Sequence, residues 1–84
     1  MRVTLISPEG SVFEGEADSV IVPAHDGEVG ILPRHAPFMT LLGSGRLVVR
    51  AGGEDNVFVV EGGFMQVADD VVRIVTEHAR KEAA

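Results

Sequence analysis

Hydrophobic and polar residues alternate along most of this chain, and turn residues interrupt the alternation at intervals of roughly eight to twelve residues, a pattern typical of all-β folds. In the first segment Val3 and Leu5 face one side, before a turn at residues 7–10. The stretch 11–24 predicts one long strand or two, with a bulge or bend at Gly15. Pro23 is expected to end this stretch, because it cannot donate a hydrogen bond to a neighbouring strand.

The rest of the chain predicts shorter strands and two hairpins. Residues 28–32 and 37–42 form short strands on either side of a proline-containing segment. A hairpin over residues 45–63 has its loop at residues 52–56, and a second hairpin turns at residues 68–70. The stretches VFVVEGGF and VVRIV carry apolar residues on both faces, so about eight to ten strands are expected in two packed sheets.

The C-terminal end, HARKEAA, is the only segment with a helical composition. It is too short to form a stable isolated helix. The predicted fold class is therefore an all-β, two-sheet sandwich with at most a short C-terminal helical stub.

The composition limits the functions that this fold can serve. At 84 residues the chain forms one small domain, and its hydrophobic share of 45% predicts an exposed apolar patch for a partner. The net charge of −6 disfavours binding to nucleic acid or to anionic lipid. The absence of cysteine excludes disulfides and thiolate chemistry. No apolar run is long enough for a signal peptide or a membrane span, so we expect a soluble, cytosol-facing protein without membrane insertion.

The segment HDGEVGILPRHAP holds the densest candidate chemistry in the sequence. His25, Asp26 and Glu28 are residue types that bind metal ions or transfer protons, and His35 could approach them in space. The same residues also have simpler interpretations, because Asp26-Gly27 is typical of a tight turn. No catalytic sequence motif accompanies them.

A partner-binding loop is the alternative interpretation of this segment. Pro33 and Pro37 fix the backbone and bias the preceding residues to extended conformations. A loop held in this way loses less entropy on docking. The glycines of the chain lie between predicted strands rather than before a helix, so the sequence predicts no phosphate or nucleotide site and no cofactor.

Two stretches, DGEVGILPRHAPFMTLLGSGRLVV and FVVEGGFMQVADDVVRIVTEHA, resemble the epsilon subunit family of F-type ATP synthases. The family pattern is acid–Gly–Glu–apolar–Gly–Ile–apolar–Pro–Gly–His–Ala–Pro, then a threonine, and later a Gly-Gly pair before an apolar strand. This sequence matches the pattern from Asp26 to Pro37, then at Thr40 and at Gly62-Gly63. The resemblance covers nearly the whole chain, Val3–Ala79.

The resemblance implies a flattened β-sandwich that rides on the rotor of the ATP synthase and has no catalytic site of its own. One apolar face would pack on the gamma subunit of the central stalk, and one loop would reach the polar loops of the c-ring. Such a subunit couples proton translocation to ATP synthesis from the cytoplasmic face of the energy-transducing membrane, where it is peripheral. The implied c-ring contacts are Asp26, Gly27 and Glu28. The implied stalk contacts are Arg34, His35, Ala36 and Pro37.

The sequence departs from the family pattern in two places. Arg34 stands where the family has glycine, so we expect that the backbone there does not need positive φ, and that the cation pairs with Asp26, Glu28 or a partner carboxylate. Many family members continue into a C-terminal helical hairpin that can inhibit ATP hydrolysis or bind ATP. We therefore divide the chain into a β-sandwich domain, residues 1–79, and a stub, residues 80–84, where that hairpin would begin, and we expect no nucleotide site here.

Two other interpretations remain open beside the epsilon-type subunit. A small free-standing metal-binding protein or enzyme would use His25, Asp26, Glu28 and His35, and a titration with zinc or manganese would detect it. A generic adaptor would instead add a peptide strand to an open sheet edge.

Overall fold

The computed structural model describes residues 1–82, which form ten β-strands and no helix that could cross a membrane. The strands in chain order are β1 (Arg2–Ser7), β2 (Gly10–Glu16), β3 (Ser19–Ala24), β4 (Gly27–Ile31), β5 (Phe38–Leu41), β6 (Ser44–Ala51), β7 (Glu54–Glu61), β8 (Phe64–Ala68), β9 (Val71–Val75) and β10 (His78–Lys81). The predicted all-β class is confirmed.

The strands form two five-stranded sheets that pack face to face. The first sheet has the order β2-β1-β9-β8-β5, and the second sheet has the order β10-β7-β6-β3-β4. Only β1 and β9 run parallel among the strand pairs of residues 1–82. Because β4 and β5 are consecutive but belong to different sheets, the segment between them joins the two layers at one edge of the sandwich.

Alternate residues of both sheets point inward and form one hydrophobic core. Phe58 on β7 is 1% exposed, and its ring meets the ring of Phe13 edge-on, with the centroids 6.0 Å apart. Removing these side chains from water is the main favourable term in folding. The residues with no exposed surface are Val3, Leu5, Val20, Val22, Ile31, Leu47, Val49, Val60, Met65, Val72 and Ile74.

Both predicted hairpins exist, and each has a tight turn. Gly52 and Gly53 join β6 to β7 with φ of 59° and 82°, and Asp69 and Asp70 join β8 to β9 with φ of 53° and 61°. Two successive residues with positive φ are typical of a type I′ turn, whose twist matches that of the flanking strands. The predicted loop of the first hairpin was too long, because residues 54–56 already pair with β6.

The stretch 11–24 forms two strands in different sheets rather than one long strand. The predicted bulge at Gly15 was wrong, since Gly15 pairs regularly with Val3. The irregularity lies instead between Leu5 and Ile6, where the register of β1 against β2 shifts. One extra residue on β2 at this point bends the edge strand.

Pro23 lies inside β3, although the sequence predicted that it ends the strand. It pairs with Glu28 of β4 on one side. On the other side, the pairing of β3 with β6 ends at Ile21. Pro23 therefore does not need an N–H there, because no carbonyl of β6 lies opposite it.

The C-terminal end continues the second sheet instead of forming a helical stub. His78–Lys81 pairs with β7 as strand β10, and the backbone N–H of Glu82 donates to the carbonyl of Val57 at 2.8 Å. The sheet therefore runs past the predicted domain end at Ala79. The last part of the predicted stub, residues 83–84, lies outside the described residues.

Candidate partner-binding surfaces

The outer face of the first sheet exposes a row of apolar side chains. Strand pairing places Leu41 opposite Phe64, Phe64 opposite Val75, and Val75 opposite Ile6. These residues, Leu41, Phe64, Val75 and Ile6, form the apolar row. Leu41 is 63% exposed, and Phe64 and Ile6 are each 36% exposed. Contiguous exposed apolar surface of this kind is typical of docking sites, so the apolar row is a candidate partner-binding surface.

Strand alternation explains why this surface is apolar. Met39 and Leu41 point outward because their neighbours on β5, Phe38 and Thr40, are the more buried residues. Met39 is 62% exposed, lies beside the apolar row and helps to line a shallow depression with Leu41 and Phe64. The sequence predicted an exposed apolar patch but not its residues, because Phe38, Met39 and Leu41 are all apolar and the pattern of FMTL does not show which side of β5 is buried.

The hairpin between β3 and β4 ends in an exposed acidic tip, formed by Asp26, Gly27 and Glu28. His25 and Asp26 are its turn residues, and Gly27 follows with a φ of 132°. The backbone N–H of His25 donates to the carbonyl of Leu41 at 3.0 Å. This bond fixes the acidic tip beside the end of the apolar row.

The segment between β4 and β5 begins with a proline turn. The backbone N–H of His35 donates to the carbonyl of Leu32 at 3.2 Å, which leaves Pro33 and Arg34 at the two central positions. Arg34 has a φ of 64°. Proline followed by a residue with positive φ is typical of a type II turn, whose third position favours glycine. The expectation that Arg34 would avoid positive φ was wrong, because the turn keeps its geometry with a different residue.

Arg34 is held through its backbone rather than through its charge. Its backbone N–H donates to Oδ1 of Asp70 at 2.8 Å. Its guanidinium forms no ion pair with Asp26 or Glu28, contrary to one of the expected pairings. The contact with Asp70 connects the β4–β5 segment to the β8–β9 turn, which lies at the other end of the first sheet from the apolar row.

The structure separates the residues of the metal or enzyme hypothesis. His25 and the acidic tip lie at the start of β4, and His35 lies beyond its end, with the five residues of β4 spanning about 16 Å between them. The His35 ring packs on Phe38, with centroids 5.9 Å apart, and its Nδ1 donates to the carbonyl of Ala36 at 2.7 Å. Within residues 1–82, no three side chains of His, Cys, Asp or Glu come together to hold a metal ion.

The outer face of the second sheet carries ion pairs. Arg50 donates two hydrogen bonds to Asp55, at 2.8 and 3.3 Å. The hydrogen bond to Arg50 lowers the pKa of Asp55 below its ordinary value, and the same bond raises the pKa of Arg50. Arg46 pairs with Glu82 near the end of the described chain.

The family motif also contains a glycine pair whose role is steric. Gly62 and Gly63 have φ of 64° and 101°. A Cβ atom at Gly63 would lie 1.9 Å from the carbonyl oxygen of Val75. Only glycine fits at this close approach of two backbones, which sets the start of β8 against β9.

A sequence profile of the family described as "ATP synthase, Delta/Epsilon chain, beta-sandwich domain" matches residues 1–82. The chain belongs to this delta/epsilon family. Membership confirms the resemblance that the motif around the acidic tip indicated, and it confirms the β-sandwich. It also agrees with the prediction that the chain is a subunit of a larger complex and not an enzyme by itself.

The alignments with relatives and solved structures cover nearly all of this chain but different shares of the other proteins. The ATP synthase epsilon chain of Leptospira interrogans is 46% identical over 78 residues, which are 93% of this chain and 61% of the relative. The ATP synthase epsilon chain of Caulobacter vibrioides is 40% identical over 83 residues, which are 99% of this chain and 96% of the relative. A chain of the Euglena gracilis mitochondrial ATP synthase (OSCP/F1/c-ring) has a TM-score of 0.88 at 30% identity, covering 94% of this chain and 51% of that chain.

Proposed function

We propose that this delta/epsilon-family chain is the non-catalytic epsilon subunit in the central stalk of an F-type ATP synthase. It links the gamma subunit to the c-ring and transmits the rotation that couples proton translocation to ATP synthesis. It works at the cytoplasmic face of the energy-transducing membrane, as a peripheral part of the complex. The observation that carries this proposal is the hydrogen bond from the backbone N–H of His25 to the carbonyl of Leu41, which holds an acidic tip beside the end of an apolar row.

The apolar row is the surface that packs on the gamma subunit. Leu41 is 63% exposed and Phe64 is 36% exposed, so burying the remaining surface of each against a partner would contribute about 0.5–2 kcal/mol before the costs of association. We assign Arg34–Pro37 to the same contact. This assignment is supported by the bond from Arg34 to Asp70, which ties the segment to the other end of the same sheet.

The acidic tip is the surface that meets the polar loops of the c-ring. Asp26 and Glu28 are exposed and free to face a basic loop. Each exposed ion pair contributes only about 0–1 kcal/mol, so the main effect of these charges is on orientation. The tip is well placed to carry force, because a second bond, from the N–H of Gly43 to the carbonyl of Pro23 at 2.8 Å, ties the same hairpin to the strand segment that follows β5.

Charge reversal of the acidic tip tests the c-ring contact in the assembled complex. Asp26→Lys with Glu28→Lys should lower recovery of the c-ring with this subunit by about tenfold or more and should weaken ATP-driven proton pumping, while gamma is retained. Glu54→Lys is the matched control, since Glu54 is an exposed acid beside the β6–β7 turn of the second sheet. Unchanged recovery of the c-ring and unchanged coupling in the double variant would show that the tip does not serve this contact.

Substitution in the apolar row tests the gamma contact separately. Phe64→Asp and Leu41→Asp should each abolish binding to an F1 complex stripped of this subunit, because a charge would be buried against an apolar partner. Both residues are already partly exposed, so the isolated domain should keep its circular dichroism spectrum. If both variants bind as the unaltered chain does, the apolar row is not the docking surface.

A further inference from the structure

The outer face of the first sheet carries a cation in its middle that forms no ion pair within residues 1–82. Arg73 is an exposed residue of β9. Its cross-strand neighbours are Gln66 on β8 and Thr4 on β1, and neither has a charge. Among the ion pairs of residues 1–82, none includes Arg73.

The acid beyond Thr4, in line with Arg73 across the strands, already has a hydrogen-bond partner. Glu14 on β2 lies opposite Thr4, but its Oε2 accepts a hydrogen bond from the guanidinium of Arg2 at 2.9 Å. On the other side of Arg73, the last residue in this line across the strands is Met39, which lies opposite Gln66. The residues directly opposite Arg73 are therefore uncharged on both sides, and Asp69 of the β8–β9 turn lines the same shallow depression as Arg73 without forming an ion pair with it.

Arg73 lies close to the apolar row. Arg73 and Val75 point to the same side of β9 and are two residues apart, which is about 7 Å along a strand. A partner surface that covers the apolar row would therefore also cover Arg73. Burying a guanidinium without a counter-charge is strongly unfavourable, whereas a carboxylate can accept two parallel hydrogen bonds from it.

We propose that Arg73 is a specificity-determining residue of the docking face and that it binds a carboxylate on the apolar surface of the partner. This inference rests on the proposed function, in which the gamma subunit covers the apolar row. The partner chemistry that fits is an apolar patch with one aspartate or glutamate about 7 Å from its centre. A wholly apolar partner surface would be rejected, because it would leave the guanidinium buried and unpaired.

The test measures binding of the chain to an F1 complex stripped of this subunit, over a series of salt concentrations. Arg73→Gln should raise the Kd about tenfold or more at low salt. It should also make the Kd less dependent on salt, because the ion pair that salt screens is gone. Arg73→Lys should recover part of the affinity, since a lysine keeps the charge but not the bidentate geometry. Arg80→Gln is the matched control: Arg80 is an exposed arginine on β10 of the other sheet and should change neither quantity.

The outcomes separate this inference from the proposed function. If Phe64→Asp abolishes binding but Arg73→Gln keeps both the wild-type affinity and the wild-type salt dependence, the role of Arg73 is wrong and the docking face stands. If Phe64→Asp and Leu41→Asp also bind normally, the proposed function of this face fails. If the isolated chain forms dimers that Arg73→Gln dissociates, while F1 binding is unchanged, a second copy is the occupant and the inference is overturned.

Discussion

The backbone N–H of Arg34 donates to Oδ1 of Asp70 at 2.8 Å, and both residues have positive φ, of 64° and 61°. The contact thus joins two turns whose backbones lie in the region that favours glycine. It connects the β4–β5 segment to the β8–β9 turn, and so it ties this segment to one end of the first sheet.

Arg34→Gly should stabilise the domain. A non-glycine residue in the left-handed region costs about 1–2 kcal/mol, and glycine loses about 0.5–1 kcal/mol through its greater freedom in the unfolded chain. The net gain is about 0.5–1 kcal/mol, which thermal unfolding would show as a rise in Tm of a few degrees. Arg34→Ala is the control, because alanine keeps the strain. A gain as large in Arg34→Ala as in Arg34→Gly would mean that the backbone conformation is not the cause.

Asp70→Gly should free the Arg34 amide while keeping the turn. Glycine accepts the positive φ of Asp70, but it removes the carboxylate that accepts the hydrogen bond. A hydrogen bond to a charged group contributes about 1.5–3 kcal/mol, so amide exchange of Arg34 should accelerate by about ten- to a hundredfold. Asp69→Gly changes the same turn without touching this acceptor. Equal exchange rates for Arg34 in the two variants would contradict the contact.

Gly63→Ala should destabilise the domain by about 4 kcal/mol or more. A Cβ at this position would lie 1.9 Å from the carbonyl oxygen of Val75, and the φ of 101° is closed to alanine in any case. Gly30→Ala is the control, because the Cβ there meets no atom within 4 Å, and its cost should stay within about 0.5 kcal/mol. Urea unfolding of the three proteins measures the difference. Similar midpoints for all three would refute the steric role of Gly63.

Much of the fold follows from local patterns in the sequence. The alternation of apolar and polar residues gives the strands because side chains on a strand have a period of two, and the glycine pairs mark turns. Local composition gave the wrong prediction at His78–Lys81, where at most a short helix was expected and a strand is found. There the unpaired edge of β7 offers backbone partners, and this tertiary contact outweighs the weak helical propensity of four residues.

The candidate site was predictable only where it is local in sequence. The acidic tip is one short motif, so its turn could be predicted directly from the sequence, while its role as a contact stays a prediction. The apolar row takes one residue from each of β1, β5, β8 and β9, and its continuity depends on the sheet order and on the parallel pairing of β1 with β9. Neither can be deduced from the alternation within a single strand. The position of Arg73 opposite two uncharged residues was missed for the same reason, since it appears only when the strands are aligned.

The last prediction concerns the pH response of the second sheet. The hydrogen bond from Arg50 lowers the pKa of Asp55 in the folded state. A depressed carboxyl pKa contributes stability above the unfolded value of about 3.9, and this contribution is lost as the pH falls through the folded pKa. Arg50→Gln should therefore raise the Asp55 titration midpoint, followed by NMR of its side-chain carboxyl, and should reduce the loss of stability on acidification. Arg46→Gln should leave that midpoint unchanged, because Arg46 pairs with Glu82. An Asp55 midpoint that does not move in Arg50→Gln would show that the pair does not form in solution.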